Sequence, residues 1–302
     1  MLNLENRILM DRVMHSVQEN LKIEGARVTG REVMRTNGPA HAFSIEAPGK
    51  KVAPVFYAED IIRMADDGVS VQAIADSVID RYHDAQTIAP ELVTPTKEMV
   101  MENSFLAVCN TEINAELLES VPHEYIEGTD LSAYVRCTYG EGSFRVTNEQ
   151  MEMLGISSEE LLGAARQNMG KDGYTVKPLG QVLGDKLGSP SDMPSMMAGP
   201  EMAVITNRSG QFGAAAIAMP EVLDQARKMT GSEEIYILPS SIHELIAIRA
   251  DSSSPEELHE MITEINASVV SSHEILSDEP YKYDGKSLSM AREEKIEKHR
   301  SR

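Results

Sequence analysis

The last third of the chain constrains the fold most, because strands and capped helices alternate there at short, regular intervals. Met202 to Asn207 reads as a strand and Gly213 to Met219 as a second. Pro220 begins a helix that ends near Gly231; proline suits a first helical turn, where its missing N–H costs no bond. Glu234 to Leu238 and Leu245 to Arg249 form a hairpin across Pro239-Ser240-Ser241-Ile242-His243-Glu244. Ser254-Pro255-Glu256-Glu257 then opens a closing helix. An order of ββαββα with short connections calls for an antiparallel sheet with helices packed on one face. The fold class is therefore α+β, with antiparallel sheets built from hairpins.

The earlier segments repeat these devices. Leu4, Ile8, Met10, Val13, Met14, Val17 and Leu21 form the apolar stripe of a first helix. Ala26 to Thr36 and Ala40 to Glu46 make a hairpin about Asn37-Gly38, and Pro39 limits the turn type. Helices follow over Tyr57 to Asp67 and Val71 to His83, the second capped by Ser70. In the middle, Ser104 to Asn110 is a buried strand and Thr111 caps a helix over Glu112 to Ser120. Leu131 to Tyr139 and Ser143 to Thr147 form a hairpin about Gly140-Glu141-Gly142. Thr147 or Asn148 caps a helix through Leu154, and Ser157-Ser158-Glu159-Glu160 opens another that runs to about Met169. The expected organisation is 1–90, a helix, hairpin and helix pair; 91–170, a middle α+β segment; 171–200, a Gly/Pro/Met-rich connection; 201–290, the ββαββα unit; and 291–302, a charged tail. Composition leaves open whether the connection, with Met193, Met196 and Met197, is a linker, a crossing loop or a lid.

Charge narrows the partners. With 28 basic and 48 acidic residues, the net charge is −20, which argues against nucleic acid and against anionic lipid. The best case for nucleic acid is Arg27, Arg31 and Arg35, whose even spacing places them on one strand face. The longest apolar run, Gly213 to Met219, is far short of the ~20 residues of a membrane span. Glu5, Arg7, Asp11 and Arg12 interrupt the first helix, so it does not read as a secretory signal. Two cysteines, Cys109 and Cys137, make no disulfide framework, and the expected compartment is the cytoplasm.

Chemistry is sparse. The most tempting constellation is PSSIHE, in which His243 beside Glu244 suggests general acid–base work and Ser240 or Ser241 a nucleophile. Against this, Ser-Ser is ordinary turn chemistry, and adjacent residues of a strand point to opposite faces. No histidine pair has metal-ligand spacing, and His259-Glu260 and His273-Glu274 read as solvated surface. Gly210-Gln211-Phe212-Gly213 lies between two expected strands, so a phosphate cradle lacks its helix N-terminus. Cys109 and Cys137 read as buried, inert thiols. No cofactor and no metal is implied.

Four stretches carry a resemblance. They are residues 53–83 (APVFYAEDIIRMADDGVSVQAIADSVIDRYH), NAELLESVPHEYIEGTDLSAYVRC, RVTNEQMEMLGISSEELLGAARQN, and AVITNRSGQFGAAAIAMPEVLDQARKMTGSEEIYILPSSIHELIAI with EILSDEPYKYDG beyond it. Asn114, Leu118, Val121, Pro122 and His123 give the second its pattern, and ILPSSIHE is the most specific run. Together they resemble an uncharacterised bacterial domain-of-unknown-function family, number five-six-eight-eight, over nearly the whole chain. The resemblance implies a bacterial cytoplasmic protein with a link to mobile elements, and passes no role to any residue.

The leading expectation is a non-enzymatic protein-binding protein whose sheet or Met-rich segment engages a protein partner. The rival is a hydrolase-like enzyme with a site at Ser240, Ser241, His243 and Glu244. The oligomeric state is open.

Overall fold

A computed structural model describes residues 2–50, 53–88, 95–140, 142–187 and 202–292, with the backbone alone at Ile88, Asp185, Lys186, Leu187 and Ser240. Met193, Met196, Met197 and the tail from residue 293 lie outside the described residues. The chain divides into two units, Met1–Thr94 and Pro95–Arg302.

In the first unit, α1 (Leu4–Asn20) begins at Asn3, whose side chain accepts the Asn6 N–H at 2.8 Å. Met10, Val13, Val17 and Leu21 are buried, but Leu4 and Ile8 are exposed. At about 100° per residue these two fall on the far side of the helix from Val17, so they leave the expected stripe. Strands β1 (Arg27–Arg35) and β2 (Gly38–Glu46) pair antiparallel with Arg35 opposite Gly38, which leaves Thr36-Asn37 as the turn. Asn37 adopts φ 65°, a left-handed conformation that asparagine tolerates. Strand β3 (Val55–Tyr57) extends the sheet beside β2. Helices α2 (Ala58–Asp66) and α3 (Val71–Ile88) follow, and α3 outruns its expected end at His83 because nothing there breaks it. Val13, Phe43, Ile45, Ile74 and Tyr82 form the centre of this unit's core.

The second unit holds two sheets. Helix α4 (Lys97–Asn103) leads into β4 (Ser104–Asn110), followed by α5 (Ala115–Glu119), β5 (His123–Tyr125), β6 (Leu131–Tyr139) and β7 (Gly142–Arg145). Strand β6 is central: β4 lies along one edge, and β5 and β7 succeed each other along the other. Thr111 does not cap α5. Its hydroxyl meets Ser132 at 2.9 Å instead, and the helix starts three residues later than that cap would require, after Asn114. Helices α6 (Asn148–Leu154) and α7 (Ser158–Asp172) begin at capping boxes, Thr147 with Gln150 and Ser157 with Glu160.

Strand β8 (Tyr174–Pro178) and α8 (Leu179–Leu187) occupy the first part of the expected connection. Then come β9 (Met202–Asn207), a 3₁₀ helix (Gly213–Ala218), α9 (Pro220–Thr230), β10 (Ile235–Ser241), β11 (Glu244–Arg249), α10 (Pro255–Ser268), β12 (Tyr281–Tyr283) and β13 (Leu288–Met290). The six strands pair antiparallel in the order β13-β12-β10-β11-β9-β8. Gly213–Ala218 is thus not the second strand expected from its apolar run. Its three consecutive alanines are buried, and their small side chains let the 3₁₀ coil pass close to β9 and β11.

Side-chain alternation allots the faces of this sheet. Ile235, Ile237, Leu245 and Ala247 join Val222, Leu223 and Ala226 of α9 in the main core. Tyr236, Leu238 and Ile248 pack with Leu258 and Ile262 of α10. The α+β class and its antiparallel sheets are as the sequence leads one to expect, and helices cover the second face of this sheet as well as the first.

One polar knot ties the two sheets together. The Asp130 carboxylate accepts Asn110 Nδ2 at 2.7 Å, Ser277 Oγ at 2.8 Å and the Tyr281 hydroxyl. Burial, and next the Asp130 charge, push the Tyr281 hydroxyl pKa well above its usual value.

Candidate functional site

Strand β10 carries Pro239 at a register shift between Leu238 and Ser241, where a missing N–H disturbs the ladder least. The strand therefore runs on to Ser241, which pairs with Glu244, and the six-residue connection contracts to a turn of Ile242 and His243. Four hydrogen bonds fix that turn. Ser241 Oγ accepts the His243 N–H at 3.1 Å, and Thr206 Oγ1 donates to the His243 carbonyl at 2.9 Å. Ile242 N donates to Glu274 O at 2.9 Å, and its carbonyl accepts Ala214 N at 3.3 Å.

The His243 ring is engaged at both nitrogens. Nδ1 accepts the backbone N–H of Phe212 at 3.2 Å, so in the neutral ring the proton sits on Nε2, which faces Glu274 Oε1 at 3.5 Å. The carboxylate that meets the imidazole is thus Glu274 and not its neighbour Glu244. Among the described side chains no serine oxygen bonds the ring: Ser241 spends its hydroxyl on the backbone, and the Ser240 side chain lies outside the described residues.

Phe212 is held from several sides. Its backbone is left-handed, φ 57° and ψ 23°, a conformation that costs a residue with a Cβ about 1–2 kcal/mol. The bond to His243 offsets part of that cost, and the Arg136 guanidinium lies 4.5 Å above the Phe212 ring centre. Phe105 and His243 stand at ring-centre distances of 5.9 and 5.7 Å. Arg136 is itself fixed by Ser143, to Oγ at 3.0 Å and to the carbonyl at 2.9 Å. The loop before Phe212 is bound across itself by Asn207, whose Nδ2 donates to Gln211 O at 2.6 Å and whose Oδ1 accepts Ser209 Oγ at 3.0 Å. Glycine is required at 213, where a Cβ would come 2.4 Å from Thr206 Oγ1 and 2.5 Å from the His243 carbonyl.

The Phe212 loop borders a cleft of about 340 Å³ that it shares with the β6–β7 hairpin and β8. Phe105, Phe212 and Met169 give it apolar walls; Thr138, Gln211 and Asp172 give it polar ones. Tyr174 also lines it, and its hydroxyl pKa is raised by burial and then by the charge of Asp172.

A model described as a family of unknown function (DUF5688) matches residues 7–285. The chain belongs to that family. No curated protein and no solved structure matches it.

In this DUF5688 chain, several residues sit differently from their sequence-level reading. His273 is buried, not solvated, and its neighbour Glu274 is the partner of His243. The segment after Gly210-Gln211-Phe212 is helical rather than a strand. It still offers no phosphate cradle, because the Phe212 and Ala214 N–H groups are spent on His243 and Ile242. Cys109 and Cys137 are free thiols in the sheet core, and burial pushes them up to about 12 and about 11. Arg27 and Arg31 are exposed on β1, while Arg35 lies over the Tyr57 ring at 4.4 Å and 3.6 Å from Glu59. No helix among the described residues is long and apolar enough to cross a membrane. The sequence reading gave no site role to Phe212, Arg136 or Glu274, although it named Phe212 in a glycine-flanked loop and Glu274 as solvated surface; the glycine pair around Gln211-Phe212, which marks a tightly folded loop, was the available signal.

Proposed function

We propose that this is a non-enzymatic protein of the bacterial cytoplasm that binds a polypeptide partner in the cleft beside Phe212. One observation carries the reading: His243 uses Nδ1 to hold the Phe212 backbone and turns Nε2 to Glu274, so the ring works as a brace for the cleft wall. A general base needs a free nitrogen within reach of a nucleophile, and this ring has neither among the described side chains. The cleft lies within the size range of small-ligand sites, roughly 300–1,000 Å³, and mixes aromatic with hydrogen-bonding walls. Such a lining suits a side chain or short segment of a partner, with aromatic rings supplying contact area at little entropic cost.

The test compares baits. Full-length protein and its Thr138→Trp variant, which fills the cleft from an exposed position, are used to capture partners from the native host. The expected result is a polypeptide retained by the wild type and lost with Thr138→Trp, with both baits unfolding at the same temperature. A partner held equally by both, or none at all, contradicts the assignment. Alongside, a panel of ester and peptide substrates is expected to show the same background turnover for wild type and His243→Ala. Turnover that disappears with His243→Ala would restore the hydrolase reading.

A further inference from the structure

A second, larger cavity lies away from the Phe212 cleft, and its chemistry is of a different kind. It measures about 630 Å³, opens to solvent, and is bordered by the turn after β5, the start of α9 and the β12–β13 hairpin. Ile126, Ile217, Leu223 and Leu288 form apolar walls. Ile217 and Leu223 are 2 % and 1 % exposed, so the floor of the cavity is the main core itself. The walls are fixed in place by backbone contact. Gly128, at φ 78°, lies so close to β13 that a Cβ there would stand 2.0 Å from the Leu288 carbonyl oxygen.

The charges that line the cavity have opposite signs and come from two segments in contact with each other. Glu127 belongs to the turn after β5 and Lys286 to the β12–β13 hairpin; both are exposed. Among the described residues neither forms an ion pair. The nearby Asp284 carboxylate accepts the N–H groups of Lys286 and Ser287 at 2.8 Å each, which lowers its pKa together with the Lys286 charge. It is therefore already engaged in its own turn.

We infer that this cavity binds a free α-amino acid with an apolar side chain. The α-carboxylate meets Lys286, the α-ammonium meets Glu127, and the side chain enters the pocket of Ile126, Ile217, Leu223 and Leu288. An apolar carboxylic acid would bring its charge against Glu127, and an apolar amine would bring its charge against Lys286. A zwitterion with an apolar side chain satisfies both rim charges and the walls.

The test is a calorimetric titration of the full chain with L-leucine, L-leucinamide, which lacks the carboxylate, and 4-methylpentanoate, which lacks the ammonium. Leucine is expected to bind saturably, and each analogue about tenfold more weakly or worse, the scale of one charge-assisted hydrogen bond. Lys286→Gln and Glu127→Gln should each weaken leucine by a similar factor. Ala218→Phe, which fills the cavity from a half-buried position, should abolish binding while thermal unfolding stays cooperative. Absence of leucine binding to the wild type overturns the inference. So does undiminished binding to Ala218→Phe, or equal binding of leucine and either analogue. Because Thr138 lies in the other cleft, Thr138→Trp should leave leucine binding unchanged, and this keeps the inference separable from the partner-binding reading.

Discussion

Replacing Asp130 by alanine is expected to lower the unfolding free energy of the second unit by roughly 3 kcal/mol, more than any other single polar change described. The carboxylate accepts hydrogen bonds from Asn110, 20 residues before it, and from Ser277 and Tyr281, 147 and 151 residues after it, so one side chain ties together segments distant in sequence. Its removal leaves the Tyr281 hydroxyl, on a residue with no exposure, without a strong acceptor. For a folding unit of this size the loss corresponds to roughly 6–12 °C in melting temperature. Tyr281→Phe removes donor and need together and should cost only about 1 kcal/mol. In the double variant the two effects should fall well short of their sum, as they do for groups that share a bond. The same knot gives a pH dependence. The folded-state pKa of Tyr281 lies above its unfolded value, so the folded chain keeps a proton that the unfolded chain releases. Stability from this group is therefore fully present below about pH 10 and falls as the pH rises beyond it. Alkaline unfolding curves of wild type and Tyr281→Phe test this directly: the fall should be shallower in the variant, and parallel curves would contradict it.

Gly213→Ala is expected to destabilise by about 3 kcal/mol, although it adds a single methyl group. Gly213 does not require a left-handed backbone, so the cost is steric. The new Cβ would stand 2.4 Å from Thr206 Oγ1, 2.5 Å from the His243 carbonyl and 2.7 Å from Asn207 N, and two of these are backbone atoms that cannot swing away. Relief means parting β9 from the Ile242-His243 turn, which breaks the bond from Thr206 Oγ1 to the His243 carbonyl and releases Phe212. Thermal unfolding reads the stability, and loss of partner capture reads the site. Gly163→Ala makes the opposite control. It lies exposed inside α7 with nothing near a built Cβ, so alanine should stabilise by about 0.5–1 kcal/mol. If both alanines behaved alike, the close approach at Gly213 would not hold.

Several helix starts and stops were legible from their caps, although Thr111 was not one of them. Ser157 with Glu160 and Ser254 with Glu257 start their helices as capping boxes, and Gly231 ends α9 in a left-handed conformation. Strands of three residues such as β5, β12 and β13 are too short to show a period, and only their partners define them. The run from Gly213 to Ala218 misled because an apolar stretch of that length serves a buried strand or a buried coil equally well. Its alanines are small enough for the tight packing against Thr206 and His243, a tertiary fact with no local signature. At the site, PSSIHE contains His243, but the carboxylate that faces its ring, Glu274, lies outside that run. Glu274 reaches the ring from 31 residues further along the chain, and the Phe212 N–H from 31 residues before it. Sequence spacing carries no signal for such pairs.

Hydrogen exchange on the complex tests the central claim most directly. With the captured polypeptide bound to the full-length protein, the amides of residues 138–140 and 207–212 are expected to gain protection, while those of α10 keep their free-state rates. Protection confined to α10 or to the first unit, with the Phe212 loop unchanged, would contradict the assignment of the cleft as the binding site.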